Sequence, residues 1–264
     1  MIRGALRSVE PPGPTAATGS IAAMTRLYAI ADLHLSGSGA KPMDVFGEAW
    51  KDHPGRMAAA WDAIVAPGDA VLLAGDLSWA RDLDEARPDL DWIGARPGVK
   101  VLLRGNHDGW WTSVSKVRKA LPAGCHALQN DAVDLGIAVV VGARGWTAPD
   151  DPMASEADAP IYLRELERLR LSIADADRRF GRAAPRLAML HFPPWIEGRP
   201  KTSVIDELHA GGVTTCVYGH LHGADHAKGV TGVRDGILFQ LVAADAIGFA
   251  PHPVTLRRTV EDPP

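Results

Sequence analysis

Seven side chains in this sequence can donate an electron pair to a cation, and each follows an apolar run. Asp32 and His34 form D-L-H after R-L-Y-A-I-A, and Asp76 closes A-V-L-L-A-G-D. Asn106 stands beside His107 in R-G-N-H-D-G-W-W, directly after V-K-V-L-L. His191 follows R-L-A-M-L, while His220 and His222 form G-H-L-H after T-T-C-V-Y. One such cluster is an ordinary polar turn; five runs ending alike are hard to attribute to packing. Carboxylate oxygen, amide oxygen and imidazole nitrogen together suit Mn²⁺, Fe or Zn²⁺, and the lack of thiolate donors argues against a structural zinc site. Seven donors are too many for one catalytic ion that keeps a position open. They suit two divalent ions about 3.5–4 Å apart, bridged by one carboxylate.

The elements that must carry these residues follow from hydrophobic patterning. Apolar runs predict strands over Arg26–Ala31, Ala70–Gly75, Val99–Leu103, Ile137–Gly142, Arg186–Leu190 and Thr214–Tyr218. A late pair, Ile237–Ala243 and Pro253–Arg258, reads as a hairpin or sheet edge. Helical patterns fall between them, over Arg56–Ala66, Asp84–Ala95, Thr112–Ala120, Ser155–Arg179 and Ser203–Ala210. Continuous Val/Ile/Leu runs belong to strands covered on both faces, so helices must pack on the sheets: an α/β fold. In such folds ligands gather at the carboxyl ends of strands, where these residues lie. On an extended backbone, residues two apart point to the same side, which lets Asp32 and His34, or His220 and His222, share a site. Adjacent residues diverge, so Asn106 and His107 should have different tasks. Gly75, Gly105 and Gly219 precede the candidate ligands and permit sharp, close turns.

Composition narrows the class. The 264 residues can form one large domain, expected over 24–264, preceded by a flexible Ala/Gly/Pro-rich tail over 1–23. That tail lacks the continuous apolar segment of a secretory signal, and Met24 is a plausible natural start. A net charge of −4 gives no global case for nucleic acid or an anionic membrane surface. No stretch reaches the roughly 20 apolar residues that span a bilayer, so a cytoplasmic protein without a membrane partner is expected. Two cysteines make no disulfide framework, and Cys216, inside an apolar run, reads as a small core residue.

D-x-H, G-D, G-N-H-D, a lone His and G-H-x-H, in that order from about Tyr28 to His222, resemble the calcineurin-like metallophosphoesterase superfamily. The resemblance implies a two-layer mixed β-sandwich flanked by helices, holding two divalent ions, Mn²⁺ first and Fe or Zn²⁺ as alternatives. It places one ion on Asp32, His34, Asp76 and His222, and the other on Asp76, Asn106, His191 and His220, with Asp76 as the bridge. His107 faces the substrate. Two divalent ions against two carboxylates leave a positive site that can bind phosphate despite the negative whole. A hydroxide bridging the ions would attack phosphorus in line, the ions would oppose the developing charge, and His107 would protonate the leaving alkoxide or stabilise charge near it.

Other residues have more than one reading. Asp108 either orients His107 or a ligating histidine, contacts substrate, or caps the helix after Thr112. Arg144, in G-A-R-G-W, is either a forked phosphate contact or a surface ion pair. Trp79, Trp110, Trp111, Trp146 and Trp195 either line a substrate cleft or form an apolar shell behind the ligands. His53, His126, His209, His226 and His252 lack motif context, although His226 lies only four residues past His222.

Two departures narrow the substrate. L-S-W-A-R-D follows Asp76, so Trp79 stands where the superfamily's serine/threonine protein phosphatases carry the second aspartate of G-D-x-x-D. The opening D-L-H-L-S is similar to lipid A pathway pyrophosphatases, yet no apolar and basic lid is identifiable. The expectation is a phosphohydrolase cleaving mono- or diesters of a small phosphorylated substrate. The alternatives are a UDP-diacylglucosamine-type pyrophosphatase, a nucleotide phosphodiesterase or a non-catalytic metal-binding scaffold.

Overall fold

The computed structural model describes residues 26–258 apart from positions 38, 40 and 153. The expected tail over 1–23 and Met24 lie outside the described residues.

In chain order the strands are β1 (Leu27–Ile30), β2 (Ala70–Leu73), β3 (Val99–Leu102), β4 (Cys125–Ala127), β5 (Val133–Asp134), β6 (Val139–Ala143), β7 (Arg186–Leu190), β8 (Val213–Tyr218), β9 (Gly232–Arg234), β10 (Ile237–Leu241) and β11 (His252–Pro253). The helices are α1 (His53–Ile64), α2 (Leu83–Ala95), α3 (Val114–Ala120), α4 (Asp158–Phe180) and α5 (Ser203–Ala210). One sheet has the order β11-β1-β2-β3-β4 and the other β5-β6-β7-β8-β10-β9. Inner neighbours are parallel; β11, β5 and β9 pair antiparallel at the edges.

Alternate residues of each strand enter different cores, as the two-residue period of a strand requires. Leu27, Ala29, Leu72, Ala74 and Val101 of the first sheet meet Val140, Leu187, Met189 and Val217 of the second. Their neighbours face outward: Ile30, Val71 and Leu73 pack under Met57 and Trp61 of α1 and Leu90 of α2. Val141, Ala188 and Cys216 pack under Leu166, Leu169 and Ile173 of α4 and Leu208 of α5. Both faces of each sheet are therefore covered, which is why the strands read as unbroken apolar runs. The fold is α/β, two mixed sheets stacked and flanked by helices, as expected. Cys216 is fully buried, and desolvation pushes its thiol up, as befits a core residue.

Of the two readings of the late pair, a hairpin or a sheet edge, the second holds for β11, which closes the first sheet as its edge strand. β10 joins the second sheet beside β8 and forms its antiparallel pair with β9, whereas β11 pairs with β1 in the first sheet. They are not a hairpin: the connection crosses from one sheet to the other. The crossing pins the sandwich where the candidate ligands lie, because Ala31 donates to the Val242 carbonyl at 2.8 Å and accepts from Ala244 at 3.0 Å.

Helix ends follow local chemistry. Asp82 caps α2 by accepting from the backbone of Asp84 and Glu85. α1 begins at His53, three residues before the expected Arg56, with Pro54 in its first turn, where a missing N–H costs nothing. Among the described residues, no helix is long and apolar enough to cross a membrane.

Candidate metal centre

Four of the seven candidate ligands do not sit on extended backbone, although His222 does, with φ of −123° and ψ of 149°. β1 ends at Ile30, and Asp32 and His34 beyond it have φ of 59° and 45°; Asp76 and His220 have φ of 55° and 72°. The same-side alternation expected for Asp32 with His34, and for His220 with His222, therefore fails. These side chains converge because the chain turns left-handed after the strands, at a cost of roughly 1–2 kcal/mol per residue. Surrounding bonds hold the turns. Asp32 N–H donates to Gly75 O (2.8 Å) and His34 N–H to Asp76 O (3.0 Å), while Gly219 N–H donates to His191 O (3.1 Å). Close approach explains two glycines: a Cβ on Gly105 would collide with Asp76, and one on Gly219 with Asp32 and Ala31.

The result is two adjoining clusters, each with three donor atoms within 4.8 Å of one another. One is Asp32, His34 and His222; the other is Asp76, His191 and His220. Within the first, His34 Nε2 lies 3.4 Å from His222 Nε2, and Asp32 Oδ1 lies 3.5 Å from His222 Nε2. Asp76 Oδ2 stands between the clusters, 3.3 Å from His191 Nε2 and 3.9 Å from His34 Nε2. Its other oxygen accepts from His107 N–H at 2.8 Å. Asn106 Oδ1 points at His191 Nε2 from 2.8 Å. Asp32 links the sheets: Oδ2 accepts from His220 N–H at 2.9 Å, and Oδ1 is left facing the cluster. All seven candidates are thus brought to one edge of the sandwich.

Electrostatics divide the histidines into two kinds. Burial lowers His34 and His220 to about 4, against the pull of nearby carboxylates, so both are neutral at pH 7. For His191 burial is again the largest effect, but the charges of Asp76 and Asp32 outweigh it and raise the ring to about 9. His222 likewise overcomes burial through Asp245 and Asp32 and rises to about 10. Asp76 falls well below the usual carboxylate range: burial opposes the shift, but the charge and hydrogen bond of His191 prevail.

The calcineurin-like phosphoesterase family matches residues 25–224. The chain belongs to this family of metal-dependent phosphoesterases. A curated relative, the gene 66 protein of Mycobacterium phage L5, is 33% identical over 86 residues, which are 33% of this chain and 41% of that protein. The chain thus spans about two fifths of that relative's length. Among solved structures, a phosphopantetheinyl hydrolase from Mycobacterium tuberculosis is similar in fold, with 19% identity over 91% of this chain and 98% of that chain at a TM-score of 0.53. A protein of unknown function from Aquifex aeolicus is 15% identical over 86% of this chain and 95% of that one, with a TM-score of 0.48.

In this calcineurin-like phosphoesterase the donor set fits divalent cations. Asp32 Oδ1, which faces the cluster, is buried without a hydrogen-bond partner, a costly state for a polar atom in a dry site. Two histidines have their outer nitrogens occupied. His222 Nδ1 faces Asp245 Oδ1 at 2.9 Å, and His191 Nδ1 faces the Ala74 carbonyl at 2.9 Å. Each partner favours the tautomer with Nδ1 protonated and the Nε2 lone pair turned to the centre. Asp245 is absent from the sequence-based candidates, although it lies just past β10 on the same sheet edge. Its second oxygen accepts from Gly223 N–H and faces His226 Nε2 at 3.1 Å, which brings His226 beside the centre.

Asp108 requires correction. It is fully buried, and its carboxylate accepts five hydrogen bonds: from the backbone N–H of Asp76, Leu77, Ser78 and Gly105, and from Trp110 Nε1. It therefore neither contacts substrate nor caps α3; it moulds the turn that presents Asp76. Burial and the Asp76 charge push it up to about 6, while the five donors favour the ionised form. Arg144 bonds Glu165 Oε1 at 3.0 Å and lies over the Trp146 ring at 4.3 Å. Its ion pair is buried rather than on the surface. The tryptophans divide. Trp110 and Trp111 are fully buried behind the turn, Trp79 stacks on His34 at 4.8 Å, and Trp146 and Trp195 line a cleft. Trp50, unmarked in the sequence reading, packs edge-on against His34 and His222.

Proposed function

We propose that the chain hydrolyses phosphoesters, mono- or diesters, of a small phosphorylated substrate at a centre holding two divalent cations, Mn²⁺ first. The placement of Asp76 Oδ2 between two three-residue clusters supports this reading most strongly, because one bridging carboxylate is what a paired-ion centre requires. Asp32, His34, Asp76 and His222 would hold one cation, and Asp76, Asn106, His191 and His220 the other. When bound, the cations supply an acidified water and positive charge against the phosphoryl oxygens.

The chain's own groups do the rest. Asp245 and the Ala74 carbonyl orient the two ligating imidazoles. His107, about half exposed, stands with Nε2 4.0 Å from Asp76 Oδ2 and its ring 4.5 Å from Trp79. From the solvent side it would give a proton to the departing alkoxide. Trp79 occupies the position of the protein-phosphatase aspartate and supports this ring by contact rather than by charge.

Turnover of p-nitrophenyl phosphate and its bis-ester by Mn²⁺-loaded protein tests the proposal. Hydrolysis of either, lost in Asp76→Asn, is expected. Two bound cations with no turnover on either ester would instead favour a metal-binding scaffold.

A further inference from the structure

A cleft of about 430 Å³ opens from His220 over the carboxyl end of the second sheet. Loops after β6, β7 and β8 wall it, supplying Trp146, Phe192, Trp195 and Leu221. It is continuous with the candidate centre through a stack of rings. His220 lies against Phe192 at 3.9 Å and 26°, and Phe192 against Trp146 at 4.7 Å and 38°.

The polar capacity of the aromatic walls is already committed. Trp146 Nε1 donates to Asp158 Oδ1 at 2.7 Å, and Trp195 Nε1 to the Arg199 carbonyl at 2.9 Å. The Trp195 indole can offer an occupant only hydrocarbon and ring face, while Trp146, whose ring already lies against Arg144 and Phe192, offers hydrocarbon edge. Charge does not select either: Arg199 and Lys228 are balanced by Asp151 and Asp225, with Lys228 paired to Asp225 at 2.6 Å. A second anionic group gains nothing here, whereas an uncharged flat group gains area and stacking. Small-molecule sites occupy about 300–1,000 Å³, so this cleft is large enough for a fused-ring group.

We infer that the cleft binds the organic group of the substrate, and that this group is uncharged and flat or apolar, an aromatic ring system above all. The inference rests on the phosphoester reading of the adjoining centre, which would hold the phosphoryl end while the cleft selects the remainder.

Affinity for inert phosphonates separates the two claims. Mn²⁺-loaded full-length protein is titrated calorimetrically with naphthylmethylphosphonate and with methylphosphonate, alongside Trp195→Ala and Trp195→Phe. The aromatic ligand should bind more tightly to the wild type. Trp195→Ala should weaken that ligand about three- to tenfold, the range of one aromatic contact, and leave methylphosphonate unchanged. Trp195→Phe should restore most of the loss, which excludes a general folding defect. Equal affinity for both ligands, or an equal loss of both in Trp195→Ala, would overturn the inference. Turnover of 2-naphthyl phosphate and glycerol 2-phosphate reports separately on the hydrolase reading. No turnover on either, with the binding preference intact, defeats that reading and leaves the cleft standing; turnover without a preference does the reverse.

Discussion

Asp245 holds His222 by its Nδ1 side and so leaves Nε2 facing Asp32 and His34. Asp245 itself is drawn down to about 2, with burial opposing and the His222 contact and Gly223 N–H favouring its ionised form. Removing a carboxylate that orients a ligating imidazole costs about 10–100-fold in metal affinity. Asp245→Ala should therefore weaken Mn²⁺ binding by that order without unfolding the protein, as read by calorimetry beside a thermal melt. Unchanged affinity would exclude an orienting role. His107 is a different kind of residue, because its side chain is about half exposed and faces solvent. His107→Ala should keep both cations and lose roughly 10²–10⁴-fold in rate on esters with poor leaving groups. The loss should shrink for p-nitrophenyl esters, whose leaving group needs no proton, and an equal loss on both would rule out proton donation.

At the level of elements, the turns after β1, β2 and β8 carry the strain, and those after β3 and β8 the close approaches of Gly105 and Gly219. Gly105 abuts the backbone of Asp76, so Gly105→Ala should displace Asp76 and break the bonds Asp108 makes around it. Orphaning buried donors costs about 1–3 kcal/mol each, so a lowered melting temperature together with weakened cation binding is expected. An unchanged melt and unchanged binding would show that the turn yields freely. Much of this scale is legible in the sequence. β7 and α5 fall where their patterns place them, and the strand-end positions of the seven candidates follow from apolar runs that stop abruptly. Left-handed turns at Asp32, His34, Asp76 and His220 are not legible, because tertiary bonds impose a conformation that is uncommon even for Asp and His, which adopt it more readily than other side-chain-bearing residues. β4, β5 and β9, of two or three residues each, are too short to show a period. The sheet crossing between β10 and β11 depends on contacts distant in sequence, such as Ala31 with Val242. Asp245 shared the strand-end signal and needed only the same rule applied after β10.

Over the whole molecule, two sheets stack so that their carboxyl ends meet, and the centre draws on both. The cation-free protein stabilises itself partly through His191 and His222, raised to about 9 and 10. Raised histidines add stability below the ordinary histidine range, and that contribution is lost as pH climbs through those values. A cation needs the Nε2 lone pair, so each of these rings must release a proton on binding, whereas His34 and His220 are already neutral. Mn²⁺ affinity should consequently rise with pH from about 6 to 8, by about tenfold per pH unit for each proton released. Titrations in buffers of different ionisation enthalpy count those protons, and a flat profile would refute the linkage.

The central claim is that Asp76 joins two cation sites drawn from both sheets. Elemental analysis of Mn²⁺-reconstituted protein and of Asp76→Asn, prepared side by side, tests it most directly. Two ions per wild-type chain, with occupancy of both sites weakened in the variant, is the predicted result. Fewer than two in the wild type, or loss of a single ion with the other site unaffected, would contradict it.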